Sequence, residues 1–238
     1  MMPIVGSRDV RSRLRSPTAD RGSGVSGGFA VVTLCTGNVH RSALAAALLR
    51  QWAGWYLSRD LAEAVSVASA GFAAPVGTPM DDRVLAIVRA LGAEGSAHRA
   101  AQVEDQILAD ADLVLVATRR HLGKVLDRAP SAVRKTFTIR EAGRIAEGFD
   151  AAPPASPHDL RRVVQRIADL RAGAASEADD DIIDPHGLGE AAYLQMVREE
   201  VSALARLAGP LFGMPRADME AYLAASDNPS ALLRPTGD

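Results

Sequence analysis

Hydrophobic and polar positions along this chain follow two periods, and the switches between them mark its elements. Residues 30–34, Ala-Val-Val-Thr-Leu, form a short β-branched and apolar run, which predicts a buried strand. From Ala43 the chain becomes rich in Ala and Leu and predicts a helix over 43–56. A second strand is predicted over 65–69, closed by Ala70 and Gly71. Val84, Ile87, Val88 and Leu91 recur at helical spacing and predict a helix over 80–91 that Gly92 ends. Residues 111–118 (Ala-Asp-Leu-Val-Leu-Val-Ala-Thr) predict a buried third strand, and 134–139 a fourth.

Further on, 151–155 is a Pro/Ala linker, and Ser156-Pro157-His158-Asp159 is an N-cap signature with proline in the first turn. Leu160, Val163, Val164, Ile167 and Leu170 then make one apolar stripe that ends before Gly173. A helix with one such stripe is expected to lie on the core, ahead of capping a cleft or binding a partner. A long helix follows over 188–208, with Leu194, Val197, Val201 and Leu204 inward and Gly209-Pro210 as its stop. A short helix over 218–225 and a loose Pro/Ser/Asp tail finish the chain.

Alternating strands and helices predict an α/β fold: a three-layer sandwich with a central four-stranded parallel sheet flanked by helices. The expected organisation is a disordered basic tail over 1–28, one domain over 29–210 with a helical insertion at about 141–181, and a short helix and loose tail over 211–238.

The chemistry gathers where the first strand hands over to the first helix, in Cys35-Thr36-Gly37-Asn38-Val39-His40-Arg41-Ser42. A strand entering a helix through a Gly/Asn turn aims backbone N–H groups and the positive helix end at one spot, which is an anion seat. A free thiol is only about 3% thiolate at neutral pH, so a nucleophilic cysteine needs surroundings that favour the anion. Helix-terminal amides, the Ser42 hydroxyl and the Arg41 charge supply such surroundings. Arg41 adds a planar fork that fits two phosphate oxygens, which lysine lacks. Gly37 permits close backbone approach, and Asn38 tolerates a left-handed turn. A single cysteine at a strand end also fits a buried small hydrophobe; the whole Cys-x5-Arg-Ser string at a strand-to-helix junction favours phosphate chemistry.

Composition narrows the picture. The net charge of −2 argues against a general attraction to nucleic acid or membrane surfaces. The one cysteine excludes an internal disulfide and a cysteine-based metal site. No apolar run reaches the roughly 18 residues of a membrane span. Residues 1–28 carry Arg8, Arg11, Arg13, Arg15 and Arg21 without an apolar centre, unlike a secretory signal. A cytoplasmic protein is expected.

Cys-x-Gly-Asn-x-x-Arg-Ser resembles the active-site loop of the low-molecular-weight protein tyrosine phosphatases. Ser69-Ala70-Gly71, His98-Arg99-Ala100, and Asp112-Leu113-Val114-Leu115 followed by His121 resemble that family's landmarks in order. The resemblance implies a phosphomonoester hydrolase working through a phosphocysteine, with Cys35 as nucleophile, Arg41 and residues 36–42 holding the phosphoryl group, and no cofactor or metal. It also implies that Ser69 and His98 sit behind the loop, hydrogen-bonding Asn38. The substrate would be a phosphorylated protein carrying phosphotyrosine, and the assembly a monomer or weak dimer. His40 stands where the family commonly has a second cysteine, and Ala43 where it has proline. The first departure removes a disulfide partner for Cys35.

Such a reaction needs an acid for the departing oxygen and then a base for water. The acidic run Glu177, Asp179, Asp180, Asp181 leads into Ile182-Ile183-Asp184-Pro185. Pro185 holds Asp184 extended, which presents its carboxylate; spacing alone also fits a helix cap. The resemblance makes Asp184 the general acid. His186 follows where the family has an aromatic wall, which bears on tyrosine preference. Two other readings keep the loop: a phosphate-binding, partner-recruiting module without turnover, and an arsenate reductase that uses an external thiol.

Overall fold

The computed structural model describes residues 27–173 and 180–232 of the 238. Most of the predicted basic tail, together with Glu177 and Asp179, lies outside the described residues. Four parallel strands form one sheet in the order β2-β1-β3-β4: β1 (Phe29–Cys35), β2 (Val65–Gly71), β3 (Leu113–Val116) and β4 (Thr136–Thr138). Side-chain alternation along the strands divides the core into two layers. Phe29 and Val31 of β1, with Leu113 and Leu115 of β3, face one hydrophobic cluster; Val32, Leu34, Val114 and Val116 face the other.

The larger layer holds α1 (Arg41–Tyr56), α3 (Asp82–Ala90), α6 (Ile139–Glu147), α7 (Pro157–Leu170), α8 (Glu190–Phe212) and α9 (Arg216–Asp227). The opposite layer holds α4 (Asp105–Asp110) and α5 (Arg119–Arg128), and the short α2 (Arg59–Glu63) leads into β2. This is the expected three-layer α/β sandwich. Helix α1 is buried around most of its girth, because Ala43, Ala45, Ala46 and Ala47 let the sheet and α8 approach it closely. Helix α7 begins at the expected cap, with the Ser156 hydroxyl accepting from the Asp159 N–H. Its predicted stripe joins the core, Leu160 and Ile167 being fully buried.

Two expectations need correction. The last long helix does not stop at Gly209-Pro210: α8 runs through Pro210 to Phe212. An internal proline costs about 3 kcal/mol, but Leu207, Ala208, Leu211 and Phe212 are all enclosed, and their burial outweighs it at about 1.5–3 kcal/mol for each large side chain. The stop is Gly213, left-handed at φ 73, whose N–H and that of Met214 close on Gly209 and Ala208 carbonyls. Leu194, expected inward, is only partly buried. The short helix expected over 218–225 forms as α9, slightly longer at each end. Tyr222 of α9 is buried edge-on against Trp52 at 4.8 Å, and its hydroxyl donates to the Leu91 carbonyl.

Candidate active site

The carboxyl end of β1 turns into α1 through residues 36–40, and the turn closes on itself. Cys35 Sγ lies 3.0 Å from Ser42 Oγ and accepts from the Asn38 N–H at 3.2 Å, so both ends and the middle of the loop converge on the sulfur. Asn38 is the one described non-glycine residue with positive φ, 56°, the left-handed turn expected of it. The N–H groups of Gly37, Val39, His40, Arg41 and Ser42 donate to no acceptor among the described residues. Five free donors around a thiol at a helix start make an anion seat. Cys35 itself is almost fully buried, and it is the chain's one cysteine.

The loop is braced from behind. The Asn38 amide donates to Ser42 Oγ at 2.9 Å and accepts from the Ala101 N–H at 2.9 Å. His98 Nε2 meets the Asn38 carbonyl at 2.7 Å, as expected. Ser69 does not share that role: its side chain makes no bond to Asn38, whose amide group bonds the Ser42 hydroxyl and the Ala101 N–H. Gly71 is required next to the loop, since a Cβ there would come within 2.5 Å of the Thr36 carbonyl. On the rim, exposed Thr36 bonds His121 Nε2 at 3.0 Å, and Thr118 bonds its Nδ1 at 2.8 Å. Burial first, then the Arg41 charge, pushes the His121 imidazole down to about 4, so it serves as a neutral spacer stacked on Phe72. His40 turns away from the seat toward Asp81 and the Tyr193 hydroxyl, 3.6 and 3.4 Å off, and burial lowers its pKa.

Arg41 is buried, with Nη1 donating to the Ile182 carbonyl at 3.1 Å and Nη2 paired to Asp184 Oδ2. Its Nε is buried without a partner. Cys35, Arg41 and Asp184 are thus brought to one place although Asp184 lies far along the chain. Asp184 keeps 44% side-chain exposure, and the buried Pro185 follows it.

The acidic run is an anchor. Asp180, 3% exposed, bridges Arg119 and Arg144, each at 3.1 Å. Asp181 accepts from the Arg119 N–H at the start of α5. Ile182 N–H bonds the Ala117 carbonyl, and Ile183 N–H bonds Glu199. Asp180→Asn is expected to cost about 2–3 kcal/mol of stability, at the low end for a buried pair because both arginines retain solvent access. It should also lower kcat more than it raises KM, by loosening Asp184; thermal melts with steady-state kinetics check both.

Three contributors were not singled out in the sequence: Asp81, Tyr193 and Glu200. Asp81 caps α3 through the Arg83 and Val84 N–H groups, and its own N–H bonds the Val39 carbonyl, tying α3 to the loop. Glu200 is fully enclosed, and both its oxygens lack partners. Burial pushes its carboxyl well above the usual range, against the opposing pull of Arg41. The unfolded chain releases that proton above about pH 4.3, while the folded chain retains it. Stability therefore falls with rising pH, by up to about 1.4 kcal/mol per unit, until the folded carboxyl ionises. Glu200→Gln should gain on the wild type progressively above the ordinary glutamate range, read from melting temperatures across pH.

A parallel sheet ending in this thiol-centred anion seat, with an arginine and its paired carboxylate beside it, defines a cysteine-based phosphoryl-handling enzyme. Residues 30–170 match the family described as low molecular weight phosphotyrosine protein phosphatase. The chain belongs to that family. Among relatives, it is 33% identical over 124 residues to "Probable low molecular weight protein-tyrosine-phosphatase EpsP" of Ralstonia nicotianae, covering 52% of this chain and 77% of that one. It is 31% identical over 137 residues to the protein-arginine-phosphatase of Geobacillus stearothermophilus, covering 58% and 86%. Among solved structures, it superposes on a YwlE arginine phosphatase variant with a phosphorylated active-site serine at TM-score 0.55 and 21% identity, over 80% and 99% of the two chains. YfkJ from Bacillus subtilis gives 0.52 at 18% identity, over 88% and 99%, and both likenesses concern the fold. Among the described residues no helix is long and apolar enough to cross a membrane, and no group of three His, Cys, Asp or Glu is arranged to hold a metal ion.

Proposed function

We propose that this chain hydrolyses phosphomonoesters on proteins, phosphotyrosine first, through a phosphocysteine at Cys35. The observation that carries the reading is a buried sulfur met by the Asn38 N–H and the Ser42 hydroxyl, in a loop with five N–H groups left without an acceptor and followed by the buried Arg41. A phosphoryl dianion in the seat takes the loop amides and the Arg41 guanidinium, Nε included, and displaces Asp184 from Arg41. Asp184 then serves the leaving oxygen. The Cys35 thiolate attacks phosphorus, the phosphorus–oxygen bond breaks, and the departing oxygen takes the Asp184 proton. In the second half Asp184 accepts a proton from water, whose oxygen attacks phosphorus; the phosphorus–sulfur bond breaks and Cys35 leaves as thiolate. Ser42 Oγ, 3.0 Å from the sulfur, supports that thiolate by a hydrogen bond.

Substrate choice lies at the rim. His186 follows the Asp-Pro pair, its ring 5.7 Å from His40, while Phe72 stands on the other side of the loop, held on His121. The Phe72 ring is already stacked on His121 and has Lys124 Nζ over it at 5.2 Å, so the phosphotyrosine reading draws on the family match. A second reading, phosphoarginine, draws on the relative named a protein-arginine-phosphatase. Release of phosphate from matched phosphotyrosine and phosphoarginine peptides, with a chelator present, tests the reading. Faster release from phosphotyrosine is expected. Faster release from phosphoarginine moves the substrate, and release from neither removes the hydrolytic function.

A further inference from the structure

Helix α5 starts just after the carboxyl end of β3, beside the loop, and its cations are of two kinds. Arg119 pairs with Asp180, and Arg128 with Asp105. Among the described residues no acidic side chain pairs with Arg120 or Lys124. These two stand four residues apart and are neighbours on one face of the helix. Lys124 Nζ lies 5.2 Å from the centre of the Phe72 ring. Phe72 is stacked on His121, whose Nε2 bonds Oγ1 of Thr36, the loop residue after the cysteine. Lys124 is thus one aromatic ring and one imidazole away from the loop. The N–H groups at the start of α5 are already engaged, that of Arg119 by Asp181 and that of His121 by the Thr118 hydroxyl. What the helix offers at the rim is therefore charge on two side chains. His121 adds none, since burial, then Arg41 and Lys124, keep its imidazole neutral. Two like charges four apart, in a helix with no acid in its first turn, work against the helix itself. Beside a dianion seat, the same pair fits a second anionic group on the ligand.

We propose that Arg120 and Lys124 form a subsite for a carboxylate beside the phosphorylated residue, so that the preferred substrate is a protein segment with Asp or Glu one or two positions from that residue. This role rests on the reading of the site as a phosphoryl seat. An extended chain advances about 3.3–3.6 Å per residue, so a neighbour one or two positions along lies within about 7 Å of the phosphoresidue's backbone. The rim has the same scale: 5.2 Å from Lys124 Nζ to the Phe72 ring, and 5.6 Å from that ring to His121. Resting on an aromatic face also restrains the lysine, which lowers the entropy lost when it pairs. With a net charge of −2 on the whole chain, the attraction is local to this rim. Ion pairs at an exposed rim are worth a few-fold in affinity each, and salt weakens them. Arg120 and Lys124 touch neither the phosphorus nor the leaving oxygen, so the gain belongs in KM and leaves kcat unchanged.

The test uses the full chain and peptides built on whichever of phosphotyrosine and phosphoarginine is hydrolysed faster. An alanine-flanked parent is compared with versions carrying one glutamate, or one lysine, at the first or second position on either side. Steady-state kinetics are measured at low salt for the wild type, Arg120→Ala, Lys124→Ala and Lys124→Glu. Each protein is scored by its kcat/KM on a charged peptide relative to the parent, so that a general loss in a variant cancels. In the wild type a glutamate on one side should raise kcat/KM about three- to tenfold, through KM, and added salt should erode the gain. Arg120→Ala and Lys124→Ala should each cut that ratio about two- to fivefold. Lys124→Glu should invert it, so that lysine at the same position becomes the better neighbour.

Ratios near one for every glutamate peptide in the wild type would overturn the proposal, as would an acid preference that survives intact in Lys124→Glu. If the wild type hydrolyses p-nitrophenyl phosphate, which has no flanking residues, yet ignores flanking charge, only the α5 subsite is lost. If it hydrolyses neither that ester nor the peptides, the phosphoryl seat is wrong and the subsite falls with it.

Discussion

Cys35→Ser should abolish phosphoester hydrolysis, with kcat down on the order of 10⁴-fold or more, while the fold and sulfate affinity stay near wild type. A serine hydroxyl is far too basic to ionise in water's pH range, so the nucleophile is lost, but the groups that hold the anion are untouched. The free N–H groups of residues 37–42 and the Arg41 guanidinium remain, and the Asn38 N–H and Ser42 hydroxyl can bond an oxygen where they now meet Sγ. Kinetics with p-nitrophenyl phosphate and sulfate titration separate the two effects. Turnover within tenfold of wild type would remove the phosphocysteine mechanism. Loss of sulfate binding together with activity would show that the sulfur holds the loop in shape.

Asp184→Asn should produce the second large effect, graded by the leaving group. Esters of acidic phenols need little protonation of the departing oxygen and should lose little. Alkyl and unactivated aryl esters should lose about a hundredfold or more. Because Asp184 is paired to Arg41 in this structure, the amide also removes an internal competitor for that cation. Sulfate should therefore bind the variant more tightly than the wild type, even as turnover falls. Asp181→Asn is the control: Asp181 lies on the same segment, but its carboxylate is committed to the Arg119 N–H. An equal loss across leaving groups, or a larger loss from Asp181→Asn, would move the acid role off Asp184.

The parts of this site that could be read from sequence are those whose chemistry is contiguous. Residues 35–42 carry nucleophile, turn and cation in one string, and the strand before and helix after are set by composition alone. Asp184 stands out only once the cysteine loop is recognised, since Asp-Pro spacing alone fits a helix cap equally well, and the fold pairs it with Arg41. Contacts across long stretches of chain were not legible: Ala101 bracing Asn38, Asp81 tying α3 to the loop, and Asp180 between two arginines follow from how helices pack on the sheet. Ser69 shows the converse, a residue in the expected order whose side chain makes no bond to Asn38. Helices α5 and α6 went unread because Arg119–Arg128 carries a glycine amid many charges and Ile139–Glu147 is short. The end of α8 was misplaced because local proline chemistry yielded to burial of the final turn. Glu200 reads in sequence as one more polar helix residue, and only the fold encloses it.

The most direct measurement is the mass of the enzyme quenched in acid during turnover of p-nitrophenyl phosphate, using Asp184→Asn to slow breakdown of the intermediate. The mechanism predicts a species heavier by one phosphoryl group, with the modification mapping to Cys35 and absent from Cys35→Ser treated in the same way. Turnover without any such species, or a phosphoryl group mapped to another side chain, would contradict it.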